Sequence, residues 1–203
     1  MNRLLAYLAR AAARKLLRFN RLTVVRAPVL DIDLPPPDGA RLIRVSALAT
    51  AEDIRLARIA MGDALEDPAA VDLRLREGDL FLGWMVDARV TAFCWIRFRN
   101  RHVGPVLMLD APGRAFMYNA VTLAEFRRLG HFEKLALTIR RVLALQGITE
   151  IIADVNVTNA PSRRVLLKAG YEAVGTLSYW TFLTRWRCLA RKHSCRKSTM
   201  AAW

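Results

Sequence analysis

Cysteine is scarce in this chain, and its cysteines follow no redox or metal-binding spacing. The 203 residues include only Cys94, Cys188 and Cys195, an odd number without a CxxC pair. Small disulfide-stabilised scaffolds are far richer in cysteine, so that class is excluded. Cys94 lies in an apolar stretch where a small buried thiol is expected, and the three cysteines together favour a reducing, cytoplasmic compartment.

Long apolar runs and clustered histidines are also missing. The first apolar run, Leu4 to Ala9, is far shorter than the roughly 18 residues that a membrane-spanning helix needs. His102, His131 and His193 are widely separated and form no HExxH-type pair. We therefore predict neither a transmembrane helix nor a metal site.

Acidic residues are fewer than basic ones, and the excess of basic residues is concentrated at the two ends of the chain. The net charge is +14, with seven basic residues in 1–26, six in 184–203 and no acid in either segment. The span 27–183 is thus close to neutral at +1, as expected of an ordinary globular domain. Basic ends suit acidic lipid, an acidic protein or nucleic acid, and do not choose among them.

Residues 1–26 are predicted to form a basic amphipathic helix. Over the first twenty residues, at 100° per residue, arginines lie on one side and leucines, Ala12 and Phe19 on the other. Such a helix can lie on an anionic membrane face, dock on a partner or pack on its own domain. Its composition also fits a mitochondrial transit peptide. A proline-rich linker is expected over 27–40, and a basic tail without periodicity over 184–203.

Between these ends, residues 41–183 alternate strand-like and helix-like segments. The predicted order is a strand, two helices, a hairpin, a strand, a long helix, a buried strand, a short helix and one or two final strands. Thr50 is a candidate N-cap for the first helix. The strand from Phe116, the helix His131 to Gln146 and the apolar strand Ile148 to Val155 make a βαβ crossover, which indicates an α/β fold.

The turn before the long helix has the composition of an anion-binding site. Residues 125–131 read Glu-Phe-Arg-Arg-Leu-Gly-His, between the end of a strand and the start of a helix. The free N–H groups and positive dipole end of a helix can hold a pyrophosphate. Arg127 and Arg128 add positive charge, and Gly130 allows close backbone approach. Taken alone, the pattern also fits an ordinary turn with solvated arginines.

A second motif follows the crossover. Residues 156–162 read Asn-Val-Thr-Asn-Ala-Pro-Ser, and residues 168–175 read Lys-Ala-Gly-Tyr-Glu-Ala-Val-Gly. In the earlier turn, Arg127, Gly130 and Phe132 occupy the marked positions of an Arg/Gln-x-x-Gly-x-Gly/Ala motif. With both motifs, residues 41–183 resemble the GNAT superfamily of acyl-CoA-dependent N-acyltransferases. The resemblance implies an α/β fold with a mixed, mostly antiparallel sheet, a central splayed parallel strand pair and flanking helices.

The resemblance further implies acetyl-CoA or another acyl-CoA as the donor, and no metal. Backbone amides of the turn would bind the pyrophosphate, and strands 117–123 and 149–156 would separate to admit the pantetheine arm. Asn159 would contact that arm near the thioester. The residues implied to bind the donor are Val121, Leu123, Arg127, Arg128, Leu129, Gly130, His131, Phe132, Glu133 and Asn159.

Two positions depart from the family pattern. Phe132 stands where Gly or Ala is usual, and Leu166 stands where a general-acid tyrosine is frequent. Tyr118 and Tyr171 carry the hydroxyls nearest in sequence to the gap expected between the two separating strands. Both are therefore candidate proton donors, although both also fit core or edge positions. Asn119 is a candidate for orienting the acceptor by hydrogen bonding, and no general base is evident.

The implied reaction is direct acyl transfer from CoA to a primary amine, within a ternary complex, in the cytoplasm. The acceptor would be a small molecule such as an amino sugar or an amino acid. One alternative is a long-chain N-acyltransferase that uses acyl carrier protein at the inner membrane face, contacted through the basic amino-terminal helix. Another is a non-catalytic GNAT-shaped binding module. Nucleic acid is not expected, because the basic ends lack the regular interleaving of aromatics that single-strand binding uses, although Trp186 and Trp203 lie in the carboxyl-terminal one.

Overall fold

A computed structural model describes residues 17–29, 40–98, 112–182 and 186–194. The strands are β1 (Leu17–Pro28), β2 (Ala40–Val45), β3 (Leu80–Val86), β4 (Arg89–Arg97), β5 (Arg114–Thr122), β6 (Glu150–Asn156), β7 (Glu172–Phe182) and β8 (Trp186–Ser194). The helices are α1 (Ala51–Asp63), α2 (Ala70–Arg76), α3 (His131–Ala144) and α4 (Ala160–Lys168), with a 3-10 turn at Ala124–Phe126.

The described strands form one mixed sheet in the order β2-β3-β4-β5-β6-β1-β7-β8. Every neighbouring pair is antiparallel except β5 and β6, which run parallel. This arrangement confirms the predicted fold class. Local signals set several boundaries as expected. Thr50 caps α1 by accepting a hydrogen bond from the Asp53 amide at 3.1 Å.

The first described element is a strand, so the predicted amphipathic helix is wrong for residues 17–26. Residues 1–16, the rest of that segment, lie outside the described part. β1 lies between β6 and β7, and Val24 is opposite Asp154 on β6. The β-branched run Thr23-Val24-Val25 favours a strand, and Val25 is fully buried. Pairing on both edges therefore outweighs the helical spacing of the arginines.

The carboxyl-terminal segment also contributes a strand. Residues 186–194, predicted to be part of an irregular basic tail, form β8 and pair with β7. The sheet thus includes β1, which precedes the predicted acyltransferase domain 41–183 in sequence, and β8, which follows it. The linker expected over 27–40 falls mainly on residues 30–39, outside the described residues.

Helices pack on both faces of the sheet. The α3 and α4 face is buried through Phe132, Leu135, Ala136, Ile139, Leu143 and Leu166. The α1 and α2 face, over β2 to β4, is buried through Ala57, Ala60, Met61, Val71 and Leu75. A smaller apolar cluster of Val24, Phe116, Ile152 and Leu177 lies on the sheet between β5 and β7. The parallel pair β5 and β6 therefore lies in the middle of the packed sheet.

A buried arginine on α3 connects three elements. Arg140 is 4% exposed. Its Nε donates to the Pro28 carbonyl oxygen at 2.8 Å, and its Nη1 donates to the Ala169 carbonyl oxygen at 3.0 Å. The guanidinium therefore joins the end of β1 and the end of α4 to α3, and it supplies a donor to the carbonyl of Ala169, a residue that is 1% exposed.

We expect Arg140→Met to lower the free energy of unfolding by about 2 kcal/mol, because it removes the link between β1, α3 and α4 and leaves the buried Ala169 carbonyl oxygen without a donor. Lys134→Met is the matched control, since Lys134 is exposed on the same helix and should change stability by no more than about 0.5 kcal/mol. Urea unfolding followed by circular dichroism measures both. Equal stability of the two variants would contradict the connecting role of Arg140.

Candidate active site

The parallel strands β5 and β6 separate soon after they meet. They pair over only four residues each, from Arg114 to Met117 and from Glu150 to Ala153. β5 then continues to Thr122 and β6 to Asn156 without further pairing between them. The predicted splayed strand pair is therefore confirmed. We call the gap between residues 118–122 and residues 154–156 the wedge.

A bulge in β5 produces the separation. The register between β4 and β5 shifts between the pairs Phe93–Val121 and Trp95–Tyr118. Asn119 lies in this bulge with φ of 48°, a left-handed conformation that Asn adopts more readily than most residues. Its Nδ2 is buried and has no hydrogen-bond partner in the described part of the chain. The bulge thus leaves a polar donor at the wedge.

A cavity of about 120 Å³ occupies the wedge. Its walls are residues 117–120 of β5, residues 153–156 of β6, and Asn159, Ser162 and Leu166. The structure therefore brings together three predicted site residues, Tyr118, Asn119 and Asn159. The volume suits a short acyl group or a few water molecules.

Asn159 serves as the N-cap of α4. Its Oδ1 accepts a hydrogen bond from the Ser162 amide at 3.2 Å, and Pro161 in the first turn favours helix initiation. Because the oxygen is used by the cap, the Nδ2 group is left as a donor at the cavity wall. Leu166, one helical turn beyond Ser162, lines the same cavity with an apolar side chain.

The Tyr118 hydroxyl is engaged away from the cavity. It donates a hydrogen bond to Asp79 Oδ2 at 2.6 Å, and Arg97 Nε donates a hydrogen bond to Asp79 Oδ1 at 2.8 Å. Burial, and then the bond to Asp79, raise the pKa of Tyr118. A phenol that is held by a carboxylate and has a raised pKa is a poor proton donor.

The Asp79–Arg97–Tyr118 group was not foreseen from the sequence. Leu80 pairs with Ile96, so the hairpin register places Asp79 opposite Arg97. The Arg74 guanidinium lies 5.4 Å from the Tyr118 ring centroid and 5.1 Å from that of Trp95. The sequence already predicts this hairpin. Counting residue pairs outward from its turn would have shown that Asp79 and Arg97 lie opposite each other.

Tyr171 lies in the core and not at the wedge. It is 2% exposed, packs in the cluster beneath α3 and α4, and is absent from the cavity wall. Burial raises the pKa of its hydroxyl, which has no partner among the described residues. The proposed role of Tyr171 as a proton donor at the wedge therefore does not match its position.

The turn before α3 has an open, uncapped geometry. Gly130 is the N-cap with φ of 76°, and no side chain caps the helix. A Cβ built at Gly130 would meet no atom within 4 Å. Arg127 and Arg128 are exposed beside it, and Arg128 also has a left-handed φ of 68°. The first amides of α3 are therefore available to an anion.

The remaining turn residues divide between the surface and the core. The Phe132 side chain is buried in the core under α3, so its bulk does not occupy the outer side of the turn. His131 stacks on Phe126 with centroids 5.9 Å apart, and desolvation followed by the charge of Lys134 lowers its pKa. Leu129 is exposed, and Glu133 lies 3.9 Å from Lys168.

Val121 and Leu123 follow the bulge toward the end of β5. Val121 is half-buried against the core beneath α1 and α2. Leu123 is 2% exposed, and its amide donates to the Thr91 carbonyl oxygen at 3.0 Å. Their side chains therefore pack into the protein. Any contact of these residues with an acyl-CoA would come from their backbone atoms.

Asp154 is a wall residue that sequence reasoning missed. It lines the cavity from β6, and burial raises its pKa, an effect partly opposed by a hydrogen bond from its own backbone amide. The available signal was the acidic residue within the otherwise apolar strand Ile151 to Val155. A charge inside a buried strand is rare enough to mark a candidate site.

The described residues contain neither a cluster of metal ligands nor a membrane-spanning helix. No group of three or more His, Cys, Asp or Glu side chains is arranged to hold a metal ion. No helix in the described ranges is both long and apolar enough to cross a bilayer.

Comparison with solved structures agrees with the fold. A GNAT-family acetyltransferase from Novosphingobium aromaticivorans superposes with a TM-score of 0.55 at 22% identity, over 81% of this chain and 64% of that one. A GCN5-related N-acetyltransferase from Kribbella flavida superposes with a TM-score of 0.56 at 19% identity, over 87% of this chain and 63% of that one. A tandem GNAT protein of clavulanic acid biosynthesis gives 0.53 at 17%, over 93% and 58%. The chain thus spans about three fifths of these proteins.

The sequence comparisons give one clear match. No curated protein sequence matches the chain significantly. The family model described as "Acetyltransferase (GNAT) family" matches residues 49–171, which contain the wedge, the turn before α3 and α4. This chain belongs to the GNAT acetyltransferase family.

Proposed function

We propose that the protein is a cytoplasmic N-acyltransferase that moves an acetyl or other short acyl group from CoA directly to the primary amine of a small molecule. The observation that carries this proposal is the cavity in the wedge, which lies between two strands that stop pairing and has the unsatisfied amide of Asn119 in its wall. In a GNAT chain, this is the place where a thioester and an amine would meet.

The donor would be held at two places. The backbone amides of residues 127–133 would hold the pyrophosphate, supported by Arg127, Arg128 and the positive end of α3. The absence of a side-chain cap and the open space at Gly130 fit this group. The pantetheine arm would enter the wedge, where Asn159 Nδ2 is placed to donate a hydrogen bond to it.

Asn119 would act on the thioester carbonyl. Its Nδ2 is a buried donor without a partner in the described residues, and leaving such a group unsatisfied is costly. A carbonyl oxygen that gains negative charge during acyl transfer is the acceptor that would benefit most from this donor. We therefore assign Asn119 to the reacting carbonyl.

The leaving thiolate would take its proton from water. Leu166 has no proton to give, and the Tyr118 hydroxyl is held by Asp79. A short acyl group fits the described cavity of about 120 Å³, and a comparison of acetyl-CoA with a long-chain acyl-CoA tests this choice against the long-chain alternative. A non-catalytic binding module remains the outcome to be tested against.

Gly130→Asp should abolish measurable binding of acetyl-CoA, because it places a carboxylate and added bulk where the pyrophosphate would lie. Gly147→Asp is the matched control. Gly147 follows α3 at its other end, has a similar φ of 73° and is equally open, so the backbone strain is alike. Isothermal titration with acetyl-CoA and with CoA measures both variants.

The result separates the readings. Binding by wild type and Gly147→Asp, but not by Gly130→Asp, would support the turn as the pyrophosphate site. Normal binding by Gly130→Asp would refute that assignment. Lack of binding by wild type would refute the proposed donor and favour the non-catalytic module.

Substitutions at two adjacent residues of β5 should have different effects, one on kcat and the other on stability. Asn119→Ala should lower kcat about 100-fold with little change in the Kd for acetyl-CoA, because it removes a donor needed mainly in the transition state. Tyr118→Phe should leave kcat within about threefold and lower the unfolding free energy by about 1 kcal/mol, because it removes a hydrogen bond to Asp79. A large loss of kcat in Tyr118→Phe would restore Tyr118 as a proton donor.

A further inference from the structure

Asp154 is a partly buried carboxylate on the cavity wall without a counter-charge among the described residues. The hydrogen bond that stabilises its charged form comes from its own backbone amide, and no arginine, lysine or histidine of the described residues forms an ion pair with it. The fully buried carboxylate of Asp79, in contrast, is bound by Arg97 and Tyr118. Asp154 is therefore in a different situation from Asp79, although both lie on the same sheet.

Strand alternation places Asp154 on the face opposite α3 and α4. Ile151, Ala153 and Val155 of β6 belong to the core beneath those helices. Ile152 packs on the other face with Val24, Phe116 and Leu177. Because alternate residues of a strand share a face, Asp154 follows Ile152 on that second face, at the point where β5 has already turned away.

An unpaired carboxylate in a cavity costs stability, since burial disfavours its charged form. Asparagine of the same shape would avoid this cost. A carboxylate that lacks a charged partner and lines a cavity is a candidate to receive that partner from a ligand. A positively charged group is the natural partner.

We infer that Asp154 receives the ammonium group of the acceptor and accepts a proton from it as the amine attacks the thioester. The inference rests on the proposed function and identifies the acceptor as a cationic primary amine, presented on a chain slender enough to enter the wedge. Asn119, on β5, would hold the carbonyl, while Asp154, on β6, would hold the nucleophile.

The chemical step balances without a further reactant. The ammonium group gives one proton to Asp154 Oδ, and the resulting nitrogen lone pair forms the N–C bond with the carbonyl carbon. The C–S bond breaks and its electron pair leaves on sulfur, which takes a proton from water. The amide nitrogen loses its second proton to solvent, and Asp154 later releases its own proton to solvent.

No neighbouring charged group titrates in place of Asp154 on the wall of the cavity. β5 contributes residues 117–120, of which only Tyr118 is titratable, and its hydroxyl is bound to Asp79. α4 and its N-cap contribute Asn159, Ser162 and Leu166, none of which changes charge. On β1 the residue opposite Asp154 is Val24, and Asp79 lies behind the wall, bound to Tyr118. An acidic limb in the rate profile for the amine that disappears in Asp154→Asn is therefore assigned to Asp154.

Asp154→Asn tests the assignment in the full-length protein, with Asp87→Asn as the matched control. Asp87 is exposed in the β3–β4 turn at φ of 47°, which asparagine tolerates equally well. The probes are acetyl-CoA with butylamine, glucosamine or lysine. With the best of these acceptors, Asp154→Asn should lower kcat/KM for the amine at least about 100-fold and abolish the acidic limb of its pH profile. The Kd for acetyl-CoA should stay within about twofold.

A stability measurement gives a second, acceptor-independent readout. Because burial raises the folded-state pKa of Asp154, wild type should lose stability relative to Asp154→Asn as pH rises from the ordinary aspartate value through that raised pKa. Urea midpoints should therefore be higher for Asp154→Asn at pH 7 than for wild type, and the difference should narrow toward pH 3. A midpoint difference that does not depend on pH would overturn the inference.

The outcomes distinguish this inference from the proposed function. Retained kcat/KM and an unchanged acidic limb in Asp154→Asn would overturn the role of Asp154 while leaving acyl transfer intact. Loss of acetyl-CoA binding in Asp154→Asn would place Asp154 in the donor site and also overturn it. If wild type neither binds acetyl-CoA nor acetylates an amine, the proposed function fails and the inference fails with it.

Discussion

The parting of β5 from β6 after four paired residues is the constraint on which the rest of the structure depends. It leaves backbone N–H and C=O groups facing a gap in the middle of a sheet, which is unfavourable unless a ligand or water satisfies them. β4 pairs with the outer edge of β5, and β1 pairs with the outer edge of β6. Both strands are therefore held from outside, so the gap can stay open without loosening the sheet.

The way each buried charge is satisfied separates scaffold from site. Arg140 is neutralised by no carboxylate in the described residues, but two carbonyl oxygens accept its hydrogen bonds. Arg97 and Asp79 neutralise each other, and Tyr118 completes that group. These charges are satisfied within the protein and therefore support the fold. Asp154, which is only partly buried, lacks such a partner among the described residues, and it lies on the wall of the cavity.

Local sequence patterns predicted the elements between residues 41 and 183, because caps, glycine stops and hydrophobic periodicity act over a few residues. The cap at Thr50 and the open turn at Gly130 are examples. β1 could not be predicted in this way, since its strand conformation depends on β6 and β7, more than a hundred residues away. The interactions of Tyr118 and the burial of Asp154 likewise depend on which strands become neighbours. Motif spacing located the wedge, but only the tertiary structure shows which of its groups are unsatisfied.

The wall of the cavity lacks the acid that the family resemblance implies but carries a carboxylate. Leu166 stands where the family resemblance implies a tyrosine, and it lines the same cavity as Asp154. Leu166 has no proton to give to the leaving thiolate, whereas the carboxylate of Asp154, whose pKa burial raises, can accept one. A carboxylate with a raised pKa removes a proton from an ammonium group more effectively. On this argument, Leu166 and Asp154 form one arrangement, in which the protein takes up the proton of the amine and leaves the thiolate to water.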